Sequence, residues 1–170
     1  MAEQTEQISK TDFPKMTISE CQMDTVRHIE KVRSFIRYFA DKLTTRAVEH
    51  DRLKLESPEV EIFAEQNAKL PTLTYGSPEY EQNLQVLKVA LDHHYANYRH
   101  HPEHFKNGIN DMNLVDIVEM ICDWKAASMR QNNGNLLTSI EKNAKKFGID
   151  SQLRQILENT AALLDKIDEG

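Results

Sequence analysis

The sequence predicts an all-α fold, a single domain of six or seven helices, and three observations carry that expectation. Glycine and proline number only 5 each in 170 residues, too few for the many tight turns of a sheet-rich chain. Glu, Lys, Gln, Leu and Ala, which are strong helix formers, are abundant. Apolar residues recur at spacings of three and four, and no stretch alternates with a period of two. The length fits one domain with a core of ordinary size.

Residues 1–17 are polar and aperiodic and are expected as a flexible N-terminal tail, leaving 18–170 as the domain. Ser19 is a candidate cap for a helix entering near Glu20, where His28, Val32, Phe35 and Phe39 share one face. A second helical segment spans about Thr44 to Lys54. Ser57-Pro58-Glu59 and Ser77-Pro78-Glu79 are helix-start signals. The first opens a helix to about Leu70, stopped by Pro71; the second opens a long helix to about Arg99. The loop HHPEHFKNGIND follows, then an apolar helix from about Met112 to Ser128. Beyond the Asn132-Asn133-Gly134 turn, two amphipathic helices over about 135–146 and 150–167 are separated by Phe147-Gly148, with Gly148 as a C-cap.

The formal net charge of -6, with no basic cluster, argues against binding duplex nucleic acid. Cys21 and Cys122 form no CxxC pair or disulfide framework, which is the usage of a reducing compartment. No signal peptide and no run of roughly 20 apolar residues is present. A cytoplasmic protein with no membrane partner is expected, and a homo-oligomer is left open.

All seven histidines lie between positions 28 and 104, five of them within twelve residues. Neutral imidazole offers a lone pair at neutral pH, which makes it the commonest metal ligand. Leu84, Leu87, Leu91, His94, Tyr98 and His101 form one helical stripe, and Val86, Ala90, His93, Asn97 and His100 form its neighbour. These histidines therefore tend inward, where an imidazole wants a partner. His50-Asp51 adds adjacent ligands about 100° apart, both able to reach an ion only near its edge. Asp116, Glu119 and Asp123 share one face of the helix LVDIVEMICDWKAAS. If buried, they need cations, which metal or its ligating histidines supply.

Taken in order, His28, His50-Asp51 and a later Asp resemble the H…HD…D pattern of HD-domain metal-dependent phosphohydrolases, and HDRLK resembles that superfamily's HDxxK form. More closely, HDRLK, HHYANYRHHPEHF and NLVDIVEMICDWKAA are similar to a family of phage and bacterial helical proteins, over about residues 24–160. The resemblance implies an HD-type helical fold with one or two divalent ions. It implies that His28, His50, Asp51 and Asp116 hold the first ion, and that His94 and His101 hold a second. Asp111 and Asp123 remain alternatives to Asp116 as the closing acid, and His93, His100 and His104 are either ligands or their supports.

The expected function is a metal-dependent phosphohydrolase acting on a small phosphorylated substrate such as a nucleotide. A ligand set of this type favours Mn, Fe, Co, Ni or Zn over Mg. Asp51, Lys54 and Glu119 are the residues expected in the chemistry. Lys54, Arg99 and Lys125 are candidates for holding phosphate, and Glu103 or Glu119 for moving protons. The alternatives are a di-iron oxygenase on the same HD-type cage and a non-catalytic binder of a host factor or nucleotide.

Overall fold

The structure is a computed structural model that describes residues 15–69, 72, 77–130 and 135–168. Among these residues there are six α-helices, short 3₁₀ turns and no strand, so the fold is all-α. The helices are α1 (Ile18–Glu49), α2 (Glu59–Lys69), α3 (Pro78–Asn97), α4 (Leu114–Ser128), α5 (Leu136–Phe147) and α6 (Ser151–Asp168). No helix is long and apolar enough to cross a membrane among the described residues. The expected tail falls mostly in residues 1–14, which lie outside the described residues. So do the stop at Leu70-Pro71 and the Asn132-Asn133-Gly134 turn.

Local chemistry sets most helix ends. Thr17, rather than Ser19, caps α1: its hydroxyl accepts from the Glu20 N–H at 3.2 Å while the Glu20 carboxylate accepts from the Thr17 N–H at 2.9 Å. The two segments expected from Glu20 and Thr44 are one unbroken helix, because nothing between them, neither proline nor glycine, interrupts the hydrogen-bond ladder. α1 stops where Asp51 turns left-handed at φ 55. Asn113 caps α4 in a capping box with Asp116, and Gly148 ends α5 at φ 64, as its sequence position predicts. α3 ends at Asn97, short of Arg99, so His100 and His101 enter through the following turn and not along the helix.

By its contacts the chain divides into residues 1–40 and 41–170. In the first unit, every residue of α1 from Ile18 to Ala40 is exposed, including the face of His28, Val32, Phe35 and Phe39 that periodicity assigns to a core. In the second unit, α4, α5 and α6 close an apolar core of Met120, Ile121, Leu136, Ile140, Leu157 and Ala161. The α2–α3 pair is different. Its buried residues include Glu59, Gln66, Asn83 and His94 beside Ala90, so polar groups do much of the work that apolar ones do in the other half. Buried polar side chains need partners, and at one end of this pair the partners are the histidines of the site.

Candidate metal centre

Five segments of the second unit bring the polar side chains together. The end of α1 supplies Arg46, His50 and Asp51; the start of α2 supplies Glu59; α3 supplies His93 and His94. The turn after α3 supplies His100 and His101, and one face of α4 supplies Asp116, Glu119 and Asp123. The left-handed turn at Asp51 separates its side chain from the line of α1 and aims it at α3 and the turn beyond.

Asp51 is the hub. Its Oδ1 lies 3.1 Å from His94 Nε2 and 3.5 Å from His100 Nε2, and its Oδ2 accepts from Lys54 Nζ at 2.7 Å. His94 Nε2 also faces His101 Nε2 at 3.0 Å. On the far side of the His94 ring, Nδ1 pairs with Glu59 Oε2 at 2.9 Å, and the other Glu59 oxygen pairs with His93 Nδ1 at 2.7 Å. Glu59 thereby anchors Nδ1 of a fully buried imidazole and turns Nε2 inward, the carboxylate–histidine arrangement that orients metal ligands. Tyr98 packs its ring on His94 at 4.6 Å and accepts the Leu53 N–H at 2.7 Å, which fixes the turn after Asp51.

Beside this cluster, Glu119 Oε1 lies 3.0 Å from both His50 Nδ1 and His100 Nδ1, while His50 Nε2 lies 3.7 Å from Asp51 and from Asp123. Three sets of side chains therefore converge, each with ligand atoms within 4.8 Å of one another: Asp51, His94, His100 and His101; His50, His100 and Glu119; His50, Asp51 and Asp123. Asp51 Oδ1 and both ring nitrogens of the buried His100 make no hydrogen bond, although these atoms lie close to one another. A cation among Asp51, His94, His100 and His101 satisfies Asp51 Oδ1 and His100 Nε2, whereas His100 Nδ1 faces Glu119 in the neighbouring group. These groups can hold a metal ion.

The electrostatics divide the histidines. The Asp123 and Glu119 carboxylates beside His50 push its pKa up to about 10, against burial. Burial pushes His101 down to about 3, helped by His100 and His94 beside it, and keeps this ring neutral. Burial alone would raise Glu119, but His100, His50 and Arg46 hold it down to about 2. Burial acts the same way on Asp51, and His100, His94 and Lys54 outweigh it and hold the group well below the usual carboxylate range. The acids are thus charged and ready as ligands.

Of the residues singled out in the sequence, the structure brings His50, Asp51, Lys54, His94, His101 and Glu119 together. His28 is exposed on the first unit, and no ligand group among the described residues includes it. Asp116 is fully buried but faces cations instead: it pairs with Arg46, and it accepts from Arg99 Nε at 3.1 Å and Nη2 at 2.9 Å. Arg99 is held there and over the Phe105 ring, and Lys125 is tied to Asp165 at 2.8 Å. His104 binds the Tyr95 carbonyl, Glu103 pairs with Lys146, and Asp111 accepts from Asn107. Asp123 takes the place among the ligand groups that was expected of Asp116.

Two residues of this cluster escaped the sequence. Glu59 reads there as an ordinary acid in a first helical turn, and nothing in it shows a charge that folds inward. Arg46 lies one turn before His50 on α1, and that i, i+4 spacing was its only signal. It pairs with Asp116 and, at 2.9 Å, with Glu119 Oε2. A groove of about 410 Å³ opens beside His50, Glu119 and Asp123, walled by Leu43, Ala47, Val118, Cys122 and Ala126, with Arg46 on its rim.

Fold and site together define the class: an all-helical protein with a buried histidine–carboxylate cluster able to hold metal. A family model described as "Family of unknown function (DUF5662)" matches residues 17–165, and the chain belongs to that family. No curated protein and no solved structure matches it.

Proposed function

We propose that this protein is a metal-dependent phosphohydrolase acting on a nucleotide or another small phosphoester. The observation that carries the reading is the convergence of His94 Nε2, His101 Nε2 and His100 on Asp51 Oδ1, with Asp51 Oδ1 and both His100 nitrogens left without hydrogen bonds. The set of three imidazoles and one carboxylate suits Mn, Fe, Co, Ni or Zn better than Mg or Ca. Resemblance to the HD-domain phosphohydrolases adds support through His50-Asp51, which stands at the middle of the cluster, and through Lys54 against Asp51.

A divalent ion bound there supplies Lewis acidity toward a phosphoryl oxygen and toward the attacking water. The chain's own residues do the rest. Lys54 at Asp51 and Arg46 on the groove rim offer positive charge to the phosphoryl group. Glu119, ionised and 3.0 Å from both His50 and His100, orients these rings beside the ion. The apolar walls of the groove receive the uncharged part of the substrate, and its volume of about 410 Å³ falls in the range of small-molecule sites.

The test is metal analysis of the purified protein, joined to a phosphate-release screen over nucleotides and simple phosphoesters. Transition metal near stoichiometry is expected, with turnover, and Asp51→Asn and His94→Ala are expected to lose both. Retained metal with no turnover across the panel turns the reading to a binding protein. Iron-dependent oxygen uptake turns it to an oxygenase. Absence of metal, with no uptake on titration, overturns the site itself.

A further inference from the structure

The segment Ile18–Ala40 of α1 raises a problem that the metal centre does not touch. A helical segment of 23 residues, all of them exposed, lacks the packed apolar face from which helices in proteins draw most of their stability. Yet it carries Ile18 at 80 % exposure, Ile36 at 63 %, Val26 and Phe35 at 56 %, Phe39 at 46 %, and Ile29 and Val32 above 40 %. Exposed apolar residues scattered around a helix need no explanation, but a continuous stripe does. Ile29, Val32, Ile36 and Phe39 step by three and four without a break, and the same series runs back through Thr25 and Gln22 to Ile18. That is the a/d seam of a coiled coil, with Val26 and Phe35 flanking it.

We infer that this face is an interface between two copies of the chain, laid antiparallel along α1. Charge favours that occupant. The first half of the segment, to residue 29, carries Glu20, Asp24 and Arg27, and the second carries Glu30, Lys31, Arg33 and Arg37, so the first half is net acidic and the second net basic. A second copy running the opposite way sets each half against its opposite charge, whereas a parallel copy stacks acid on acid and base on base. The arrangement is two-fold and closed, as isologous dimers are. Area agrees. Phe35 and Phe39, about half exposed on rings of about 150–250 Å², present roughly 200 Å² between them. With the five aliphatic residues the stripe offers roughly 600 Å² per copy, or about 1,200 Å² for the pair, the lower edge of stable interfaces.

The test is the solution mass of the full chain by light scattering at micromolar concentration. Twice the chain mass of 19.7 kDa is expected. Ile36→Glu places a charge in the seam and should halve the mass while helicity by circular dichroism and metal content stay as in wild type. Val32→Lys repeats the test with the opposite charge, and Ser34→Glu, on the outer face, should leave the dimer intact. A wild-type monomer overturns the inference and leaves the stripe to residues 1–14 or to a different protein. So does a trimer or larger assembly, or a dimer that survives both seam substitutions. None of these outcomes bears on the metal centre, which lies wholly in residues 41–170.

Discussion

Glu59 is the residue on which the imidazole geometry turns. It is fully buried and bonds two neighbouring histidines through its two oxygens. Glu59→Gln keeps the shape but gives the His94 ring an uncharged partner that can also donate. Loss of such a partner typically weakens metal binding about 10–100-fold. Competition with a chelator should find that drop in Glu59→Gln, and Glu59→Asp should recover part of it. Binding unchanged in Glu59→Gln reduces this carboxylate to packing. His50 makes the complementary case for pH. Its folded pKa is raised to about 10, so its protonated contacts stabilise the metal-free protein fully below the unfolded value near 6.5. That contribution is lost as pH rises toward 10. Metal in the groups that contain His50 and His100 must displace protons from both rings, since against burial the carboxylates beside each hold its pKa up, so binding between these limits should release protons and tighten as pH rises. His101, already neutral at about 3, adds nothing to that release. Calorimetry in buffers of different ionisation enthalpy counts the protons, and His50→Gln should remove the His50 share of the release and leave that of His100.

Helices were the legible part of this molecule, because composition and the three-four period act locally. The capping signals at Gly148 and the proline at the start of α3 acted locally too. Which face each helix buries was less legible. The stripe of α1 from His28 to Phe39 has the pattern of a core and is exposed throughout the first unit, since periodicity marks an apolar face without saying what covers it. On α4 the acid stripe was correctly placed on one face, but its division of labour depends on arginines distant in sequence. Asp116 belongs to Arg46, Arg99 and the cap of α4, whereas Glu119 and Asp123 turn to the histidines. The spacing of three and seven contains none of that. Asp116→Asn should therefore unsettle the fold while leaving metal in place. Breaking a buried ion pair costs roughly 3–5 kcal/mol, and the partial exposure of Arg99 argues for the low end, a fall in Tm of about 6–12 °C for a chain of this size. Asp123→Asn should do the reverse, weakening metal binding while the metal-free protein keeps a Tm within a few degrees of metal-free wild type. If Asp116→Asn keeps its Tm and loses metal instead, the closing acid is Asp116 and the assignment of α4 is inverted.

In the whole molecule, the second unit holds itself together in two unlike ways. The α4–α6 half has an apolar core whose largest members, Met120, Ile121, Ile140 and Leu157, are almost fully sequestered. Such burial contributes on the order of 1.5–3 kcal/mol for each side chain, whatever the ionic state of the solvent. The α2–α3 pair buries Glu59, Gln66, Asn83 and His94 instead, and both side-chain amide atoms of Asn83 lack a bond. Its stability therefore leans on the charge balance at the centre, where Asp51, Glu59 and the histidines meet. Metal bound only by the folded state adds stability by mass action, and that addition should be spent where its ligands are. Removing the ion should lower the melting temperature and should loosen the two halves unequally. Amide exchange of α2, α3 and the turn from Tyr98 to His104 should accelerate in chelator, while α4, α5 and α6 keep most of their protection. Adding back metal should restore the slow exchange, and in Asp51→Asn it should not. Protection lost equally from all five helices α2 to α6 would mean that the unit opens as one cooperative body. The polar pair would then draw its stability from the apolar core, not from the ion.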